Sequence, residues 1–278
     1  MSRRWMLKAA VAILPMLAVS TLALTPRSAS LKYPYALAVD QEGLLYIADP
    51  GNAAISVYHP ASNKLSSFAQ GGNAVSLALD KNGRIYAGMV GPTGRIDIYD
   101  RDAKLADTLP VPRGDLPMTL AVDSDGVLYQ SSGSEGGKPA AASVNAYDIV
   151  VESESAKSGF SNKRQSYAVA SDQPAFALAY DGYSVRVLSS AFAAAADGNH
   201  NIFYTDPDAK SIAVKGESSS PKIVLTKLSS EPRGIAFDKA RSVLYVSFPN
   251  EHAVRAYQVS YNGGADAPAL SSPRVIIH

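Results

Sequence analysis

Three stretches of this chain read alike: Tyr35-Ala36-Leu37-Ala38-Val39-Asp40-Gln41-Glu42-Gly43, Val75-Ser76-Leu77-Ala78-Leu79-Asp80-Lys81-Asn82-Gly83 and Met118-Thr119-Leu120-Ala121-Val122-Asp123-Ser124-Asp125-Gly126. A fourth, Arg233-Gly234-Ile235-Ala236-Phe237-Asp238-Lys239-Ala240, keeps the apolar run and the aspartate, and Ala194-Ala195-Ala196-Asp197-Gly198 is a weaker fifth. Each is followed by a second apolar run: Leu45-Tyr46-Ile47, Ile85-Tyr86-Ala87, Leu128-Tyr129, Ile202-Phe203-Tyr204 and Leu244-Tyr245-Val246. A run that is apolar at nearly every position suits a strand buried on both faces. Asp-x-x-Gly suits a tight turn, in which the carboxylate caps its own backbone and glycine takes a positive φ. The two runs therefore read as a hairpin.

Working outward, a third strand is expected to end at Tyr58, Tyr99, Tyr147 and Tyr257, and a fourth at 65–68, 105–109, 223–225 and 275–277. Four short antiparallel strands per repeat of about 40 residues describe a blade of a β-propeller. The turn aspartates stand at 40, 80, 123, 197 and 238, at intervals of 40, 43, 74 and 41. The long interval is near two units of 37. A degenerate fourth blade is therefore expected between Tyr147 and Asp197, using 174–181 and 184–188. The fold class expected is all-β, a six-bladed propeller of four-stranded antiparallel blades. Five blades with a long insertion is the alternative. A linear array is disfavoured, since neither terminal repeat reads as a polar cap.

Tyr46-Ile47-Ala48-Asp49-x-x-Asn52, with Ile55 and Tyr58 after it, resembles an NHL repeat, as does Tyr204-Thr205-Asp206 with Ile212. Tyr245-Val246-Ser247 with Asn250 is similar but lacks the aspartate. The resemblance spans roughly residues 33–278. It implies a propeller and little about function, because NHL-like propellers include RNA readers, protein platforms, lyases and sensors. It also implies that Asp49 braces its loop through Asn52.

The N-terminus reads as an address. Arg3, Arg4 and Lys8 precede an apolar run over 9–24, with small residues at 18–20 and 28–30. That is a signal-peptide layout, so residues 1–30 are expected to be a signal peptide and 31–278 a single propeller domain. The head resembles a twin-arginine export signal with Met6 at the Phe position, and a plain basic head is the other reading. An uncleaved anchor would be slightly short for a bilayer. The expected location is periplasmic or secreted.

Charge argues against one class of partner. The chain carries 26 basic and 25 acidic residues. Residues 1–30 hold four of the basic ones (Arg3, Arg4, Lys8, Arg27) and no acids, which leaves 22 against 25 and a net charge of −3. Proteins that grip phosphate backbones carry a basic excess, so no nucleic-acid partner is expected. There is no cysteine, which excludes disulfides, thiolate metal sites and a cysteine nucleophile.

No constellation for catalysis emerges. Lactonase-type six-bladed enzymes resemble this architecture and hold a divalent metal near the axis with Glu, Asn and Asp. Hard cations need several converging oxygens. The four clear inner strands offer Ala, Leu, Ser, Thr, Val, Ile and Gly, with Asn73 and Asp115 only upstream. The histidines, His59, His200, His252 and His278, fall at unrelated repeat positions and are not expected to converge on zinc. There is no Gly-x-Ser-x-Gly, phosphate loop or dinucleotide fingerprint. The repeated aspartates read as turn caps and the repeated tyrosines as packing between blades. Catalytic residues, metal sites and cofactors are accordingly expected to be none.

Two stretches break the repeat. The Gly/Ser-rich stretch 131–139 reads as a long loop between second and third strands, and the polar stretch 151–164 as a solvated loop. Repeat register alone places Tyr35, Asn73, Asp115, Arg233, Phe248, Asn250 and His252 at one mouth of the channel, with Asp49 and Asp206 at its edge. This patch mixes aromatic, amide and charged groups. The function expected is a monomeric, non-catalytic binding or scaffolding propeller whose ligand is a protein, peptide or carbohydrate. A membrane contact would come only through the N-terminal segment. The alternative is an exported metal-dependent hydrolase or lyase of the lactonase-like type.

Overall fold

Residues 30–111, 115–134, 143–149, 160–168, 177–188, 191–216, 220–261 and 268–277 are described by a computed structural model of the chain. The signal-peptide segment expected over 1–30 lies, except for Ser30, outside them, as does His278. Among the described residues no helix is long and apolar enough to cross a membrane.

Blade one is β1 (Ala36–Val39), β2 (Leu45–Asp49), β3 (Ala54–His59) and β4 (Lys64–Gln70), paired in that order. Blade two is β5 (Asn73–Leu79), β6 (Ile85–Val90), β7 (Arg95–Tyr99) and β8 (Leu105–Pro110). Blade three is β9 (Asp115–Val122), β10 (Val127–Ser134), β11 (Ser143–Ile149) and β12 (Phe160–Ala168). A two-stranded hairpin follows, β13 (Ala177–Tyr180) and β14 (Val185–Leu188). The next blade is β15 (Ala193–Ala196), β16 (Ile202–Asp206), β17 (Ser211–Lys215) and β18 (Lys222–Leu225). The last is β19 (Ile235–Asp238), β20 (Val243–Phe248) and β21 (Ala253–Ser260), whose outer edge pairs with both β22 (Ala269–Leu270) and β23 (Arg274–Ile277). The innermost strands β1, β5, β9, β13, β15 and β19 pack in sequence around the axis, and β19 returns to β1. The fold is an all-β propeller.

The blade count corrects the sequence reading. Five blades are complete, not six, and the expected fourth blade is represented among the described residues by the hairpin alone. The reason is spacing. The hairpin has its own turn aspartate, Asp181, which lies 58 residues after Asp123 and 16 before Asp197. The 74-residue interval is thus divided unevenly, not as two units of 37. Blade three takes the surplus, and β12 occupies Phe160–Ala168, including 160–164 of the stretch expected to be a solvated loop. Only residues 189–192 join β14 to β15, too few for two further strands of about five residues each. Similarly, β10 runs to Ser134, so the loop expected over 131–139 begins as strand, and 135–139 lies outside the described residues.

The turn aspartates do the work expected of them. Asp40 Oδ1 accepts the backbone N–H groups of Glu42 (2.9 Å) and Leu44 (2.8 Å), and Gly43 beyond it takes φ +81°. Asp80 and Asp123 repeat the pattern on Asn82 and Arg84, and on Asp125 and Val127. The repeated tyrosines add a tie that was not foreseen. In the first three blades their hydroxyls donate to the turn aspartate of their own blade, Tyr46 to Asp40 (3.5 Å), Tyr86 to Asp80 (3.2 Å) and Tyr129 to Asp123 (3.0 Å). Burial beside these carboxylates pushes the Tyr46 phenol up to about 12.

The core lies between blades. Ala38, Tyr46, Ile55 and Val57 of blade one pack on Ala74, Leu77, Ile85 and Met89 of blade two. Phe203 stacks on Phe237 across the next-to-last interface at 5.9 Å. Each fully buried large side chain contributes about 1.5–3 kcal/mol, so the interfaces hold the ring.

Ring closure needs no exchange of strands, because every blade is a contiguous piece of chain. A strap at residues 30–35 replaces it. Leu31 enters the interface of the first and last blades beside Val254 and Ile277. Asp49, with no exposed surface, accepts Lys32 N–H at 2.9 Å and Tyr33 N–H at 2.7 Å. Asn52 Nδ2 donates to Asp49 Oδ2 (2.7 Å) and to Ser30 O (2.7 Å). From the last blade, Ser247 Oγ donates to Tyr35 O (3.1 Å) and His252 Nδ1 meets Lys32 O. Gly234 packs so close that a Cβ there would lie 2.5 Å from Tyr35 O.

Candidate functional site: the channel mouth

The inner strands all run from one mouth, here the upper, to the turn aspartates at the lower. Counting back five residues from each aspartate gives the upper ring: Tyr35, Val75, Met118, Phe192 and Arg233. The hairpin's equivalent, Phe176, lies outside the described residues. The space at this mouth is small, about 50 Å³, and is lined by Tyr35, Val75, Met118 and Phe192 with the Ser76 and Thr119 hydroxyls. Those hydroxyls are engaged: Ser76 Oγ donates to Pro117 O (2.6 Å), and Thr119 Oγ1 lies 2.7 Å from Ser131 Oγ.

Across the upper face the aromatic rings form a chain. Tyr33 and Tyr35 stack at 6.1 Å, and Tyr35 meets Phe192 edge-on at 5.4 Å. Arg233 lays its guanidinium over the Phe192 ring at 4.6 Å, within cation–π range. Glu231 holds Arg233 from the other side at 3.1 Å. Burial raises the Tyr35 phenol, and Arg233 partly opposes the rise. Tyr33 is 36% exposed. The surface offered is a half-buried aromatic shelf ending in an arginine.

Of the residues placed here by repeat register, Tyr35 and Arg233 come together. Asn73 begins β5 and is exposed, and Asn250 is exposed in a 3-10 turn at Pro249–Glu251. Asp115 begins β9. His252 ends that 3-10 turn at φ 55° and is tied to the strap. Phe248 has no exposed surface and lies under Arg255 at 4.3 Å, so its ring packs the last blade and does not face the mouth. Asp49 is consumed by the strap. Asp206 accepts Ala209 N–H at 2.9 Å, as a loop brace. Phe192 and Tyr33 were missed. Phe192 stands at the same repeat position as Tyr35 and Arg233, and that alignment could have found it.

The lower mouth is wider, about 440 Å³. Six alanines, Ala38, Ala78, Ala121, Ala179, Ala195 and Ala236, stand at one level of its wall, with Lys81 and Lys239 among the turn aspartates at the rim. Asp40, Asp80 and Asp123 already serve their turns, as above. Among the described residues no three His, Asp or Glu side chains are grouped so as to hold a metal ion.

No protein-family model matches the sequence, and no curated protein matches it significantly. Solved structures do resemble it. A gluconolactonase from Xanthomonas campestris has a TM-score of 0.63 at 11% identity, over 87% of each chain. A PQQ-bound aldose sugar dehydrogenase from Streptomyces coelicolor has 0.58 at 13%, over 89% of this chain and 94% of that one. A streptogramin B lyase has 0.52 at 14%, over 81% and 93%. At such identities the likeness is one of fold: this chain is built as a β-propeller, like all three.

Proposed function

We propose that the chain is an extracytoplasmic binding propeller that takes a peptide or carbohydrate on its upper face, on the shelf formed by Tyr33, Tyr35, Phe192 and Arg233. The observation that supports this is the character of that mouth. Aromatic rings beside a guanidinium suit stacking on a sugar or peptide face, and the described lining lacks the converging carboxylates that a hard cation needs. The finer assignment to NHL-type repeats rests on the motifs around Asp49 and Asp206. The Asp49–Asn52 bond has the geometry that such repeats would use.

The second reading is an exported hydrolase or lyase of the lactonase-like type. The resembling structures fit it better than they fit a non-catalytic binder, because the three above are named for a gluconolactonase, a sugar dehydrogenase and a lyase. The test is to screen the protein on glycan and peptide arrays and titrate the hits against Phe192→Ala and Arg233→Ala. The binding reading expects at least a tenfold weaker Kd in both variants, about 1.4 kcal/mol. Hits that bind both variants as tightly as wild type would remove the shelf as the site. Turnover of a lactone that adds a requirement for a divalent cation would favour the enzyme.

A further inference from the structure

The hairpin β13–β14 fills the place of a blade with half of one. Its neighbours continue outward by two further strands, β11 and β12 on one side and β17 and β18 on the other. At about 4.8 Å per strand, β14 therefore sits roughly 10 Å inside the rim. Among the described residues its only strand partner is β13.

The register fixes which backbone groups face outward. Asp181 N–H donates to Ser184 O at 3.2 Å, so Ser184 points at β13. By the alternation of antiparallel pairing, Arg186 and Leu188 do the same, and the N–H and C=O groups of Val185 and Val187 point away from β13, to an edge with no partner strand among the described residues. An edge of this kind is a template for another strand.

The flank beside it is apolar above and polar below. A cavity of about 490 Å³ lies between blade three and the hairpin, lined by Tyr129, Val144, Val185 and Val187, with Asp123, Ser124, Asp125 and Ser184 from the turns. Val187 on β14 is 41% exposed, and Tyr183, in the turn just before the strand, is 76% exposed with its ring stacked on His200 at 4.9 Å. Asp125 is exposed, and β14 runs upward from the lower face.

We propose that β14 accepts an extended peptide of another protein, which adds as the third strand of this blade. The peptide would run antiparallel to β14, place apolar residues at alternate positions toward Tyr129, Val144 and Val187, and carry a basic residue near its C-terminal end, beside Asp125. This is strand addition to a sheet edge, in which backbone bonds give affinity and alternate side chains give selectivity. A second copy of the chain does not fit, because its own projecting blades would meet blade three and the blade of β15–β18 before the two recessed edges could touch.

The test uses the folded chain and the synthetic peptide acetyl-Val-Thr-Val-Thr-Val-Lys-amide. In the free protein the Val185 and Val187 amides should exchange with solvent rapidly, and saturating peptide should slow both at least tenfold. Val187→Pro removes an outward N–H without touching the β13 ladder, and Val187→Lys puts a charge in the apolar flank while leaving the backbone intact. Each should weaken binding at least tenfold. Amides already protected in the free chain would mean that the edge is paired by the chain itself and would overturn the proposal. So would peptide affinity unchanged in Val187→Lys, or concentration-dependent dimerisation abolished by that variant.

Discussion

Replacing Asp49 with asparagine should unfasten the strap that closes the ring. The carboxylate is wholly buried and accepts two backbone N–H groups and the Asn52 amide at 2.7–2.9 Å. Oδ2 accepts both Lys32 N–H and the Asn52 amide, and Oδ1 accepts Tyr33 N–H; an asparagine oxygen can stand in for Oδ2, uncharged, but its NH₂ then faces the Tyr33 N–H. Hydrogen bonds to a charged group contribute about 1.5–3 kcal/mol each, and a buried donor left without a partner costs about 1–3 kcal/mol. Losing the Tyr33 acceptance outright and the charge behind the other two, with partial access of water to the exposed Lys32 and Tyr33, gives a destabilisation of about 3 kcal/mol. Against the roughly 5–15 kcal/mol typical of a folded protein, that is a large fraction. Urea unfolding is the assay: the midpoint should fall by about 1 M at unchanged slope, for a slope of about 3 kcal/mol/M. Hydrogen exchange should show the Lys32 and Tyr33 amides losing protection before any in β6 or β20. Adding Asn52→Ala to Asp49→Asn should cost less than it does alone, since the two share one network. A loss below about 1 kcal/mol, or full additivity, would refute the strap as the closing device.

Other outcomes follow from the same geometry. Gly234→Ala would drive a Cβ to 2.5 Å from Tyr35 O and should cost about 1–3 kcal/mol in urea unfolding by forcing the first and last blades apart. Ser247→Ala removes a hydroxyl that donates to Tyr35 O and accepts Gly234 N–H, and should cost about 2 kcal/mol. Burial alone would raise the Asp181 carboxyl, but the Ser184 and Tyr183 amides, with Arg186 and His200, hold it below its ordinary value of 3.8. A depressed carboxylate stabilises the fold above the unfolded value and loses that contribution as pH falls through the folded one. Asp181→Asn should therefore flatten the loss of hairpin protection below about pH 4 in hydrogen exchange. Burial raises Tyr46 and Tyr245 to about 12. Their contribution is complete below the unfolded value of 10.0 and is lost as pH climbs toward 12. Tyr245→Phe should thus unfold at higher pH than wild type in an alkaline titration followed by far-UV circular dichroism.

Much of the fold was legible because a repeat states each element several times. The Asp-x-x-Gly turns and their flanking apolar runs locate strands such as β1, β2, β5 and β6, since burial and turn chemistry are local. The half blade was not legible. Phe160–Ala168 contains Asn162, Lys163 and Arg164 and has no apolar signature. It is an outer strand, β12, paired with β11. The site was partly legible for the same reason. Tyr35 and Arg233 follow from repeat register, whereas Phe248 occupies a position whose inward or outward turn depends on Arg255 and the last blade's packing. Phe192 opens a poly-alanine strand too weak to draw the eye, and it becomes a mouth residue only once that strand is placed in the ring.

The binding reading proposed for the mouth has it recognise a ligand with rings and a guanidinium, where the enzymatic reading needs a bound ion. Metal analysis of protein folded in the presence of Ca²⁺, Zn²⁺ and Mg²⁺, followed by calorimetric titration with each, tests it most directly. The account predicts no stoichiometric ion and no saturable heat. One tightly held equivalent, displaced by a chelator together with turnover of a lactone, would contradict it and establish the enzymatic reading.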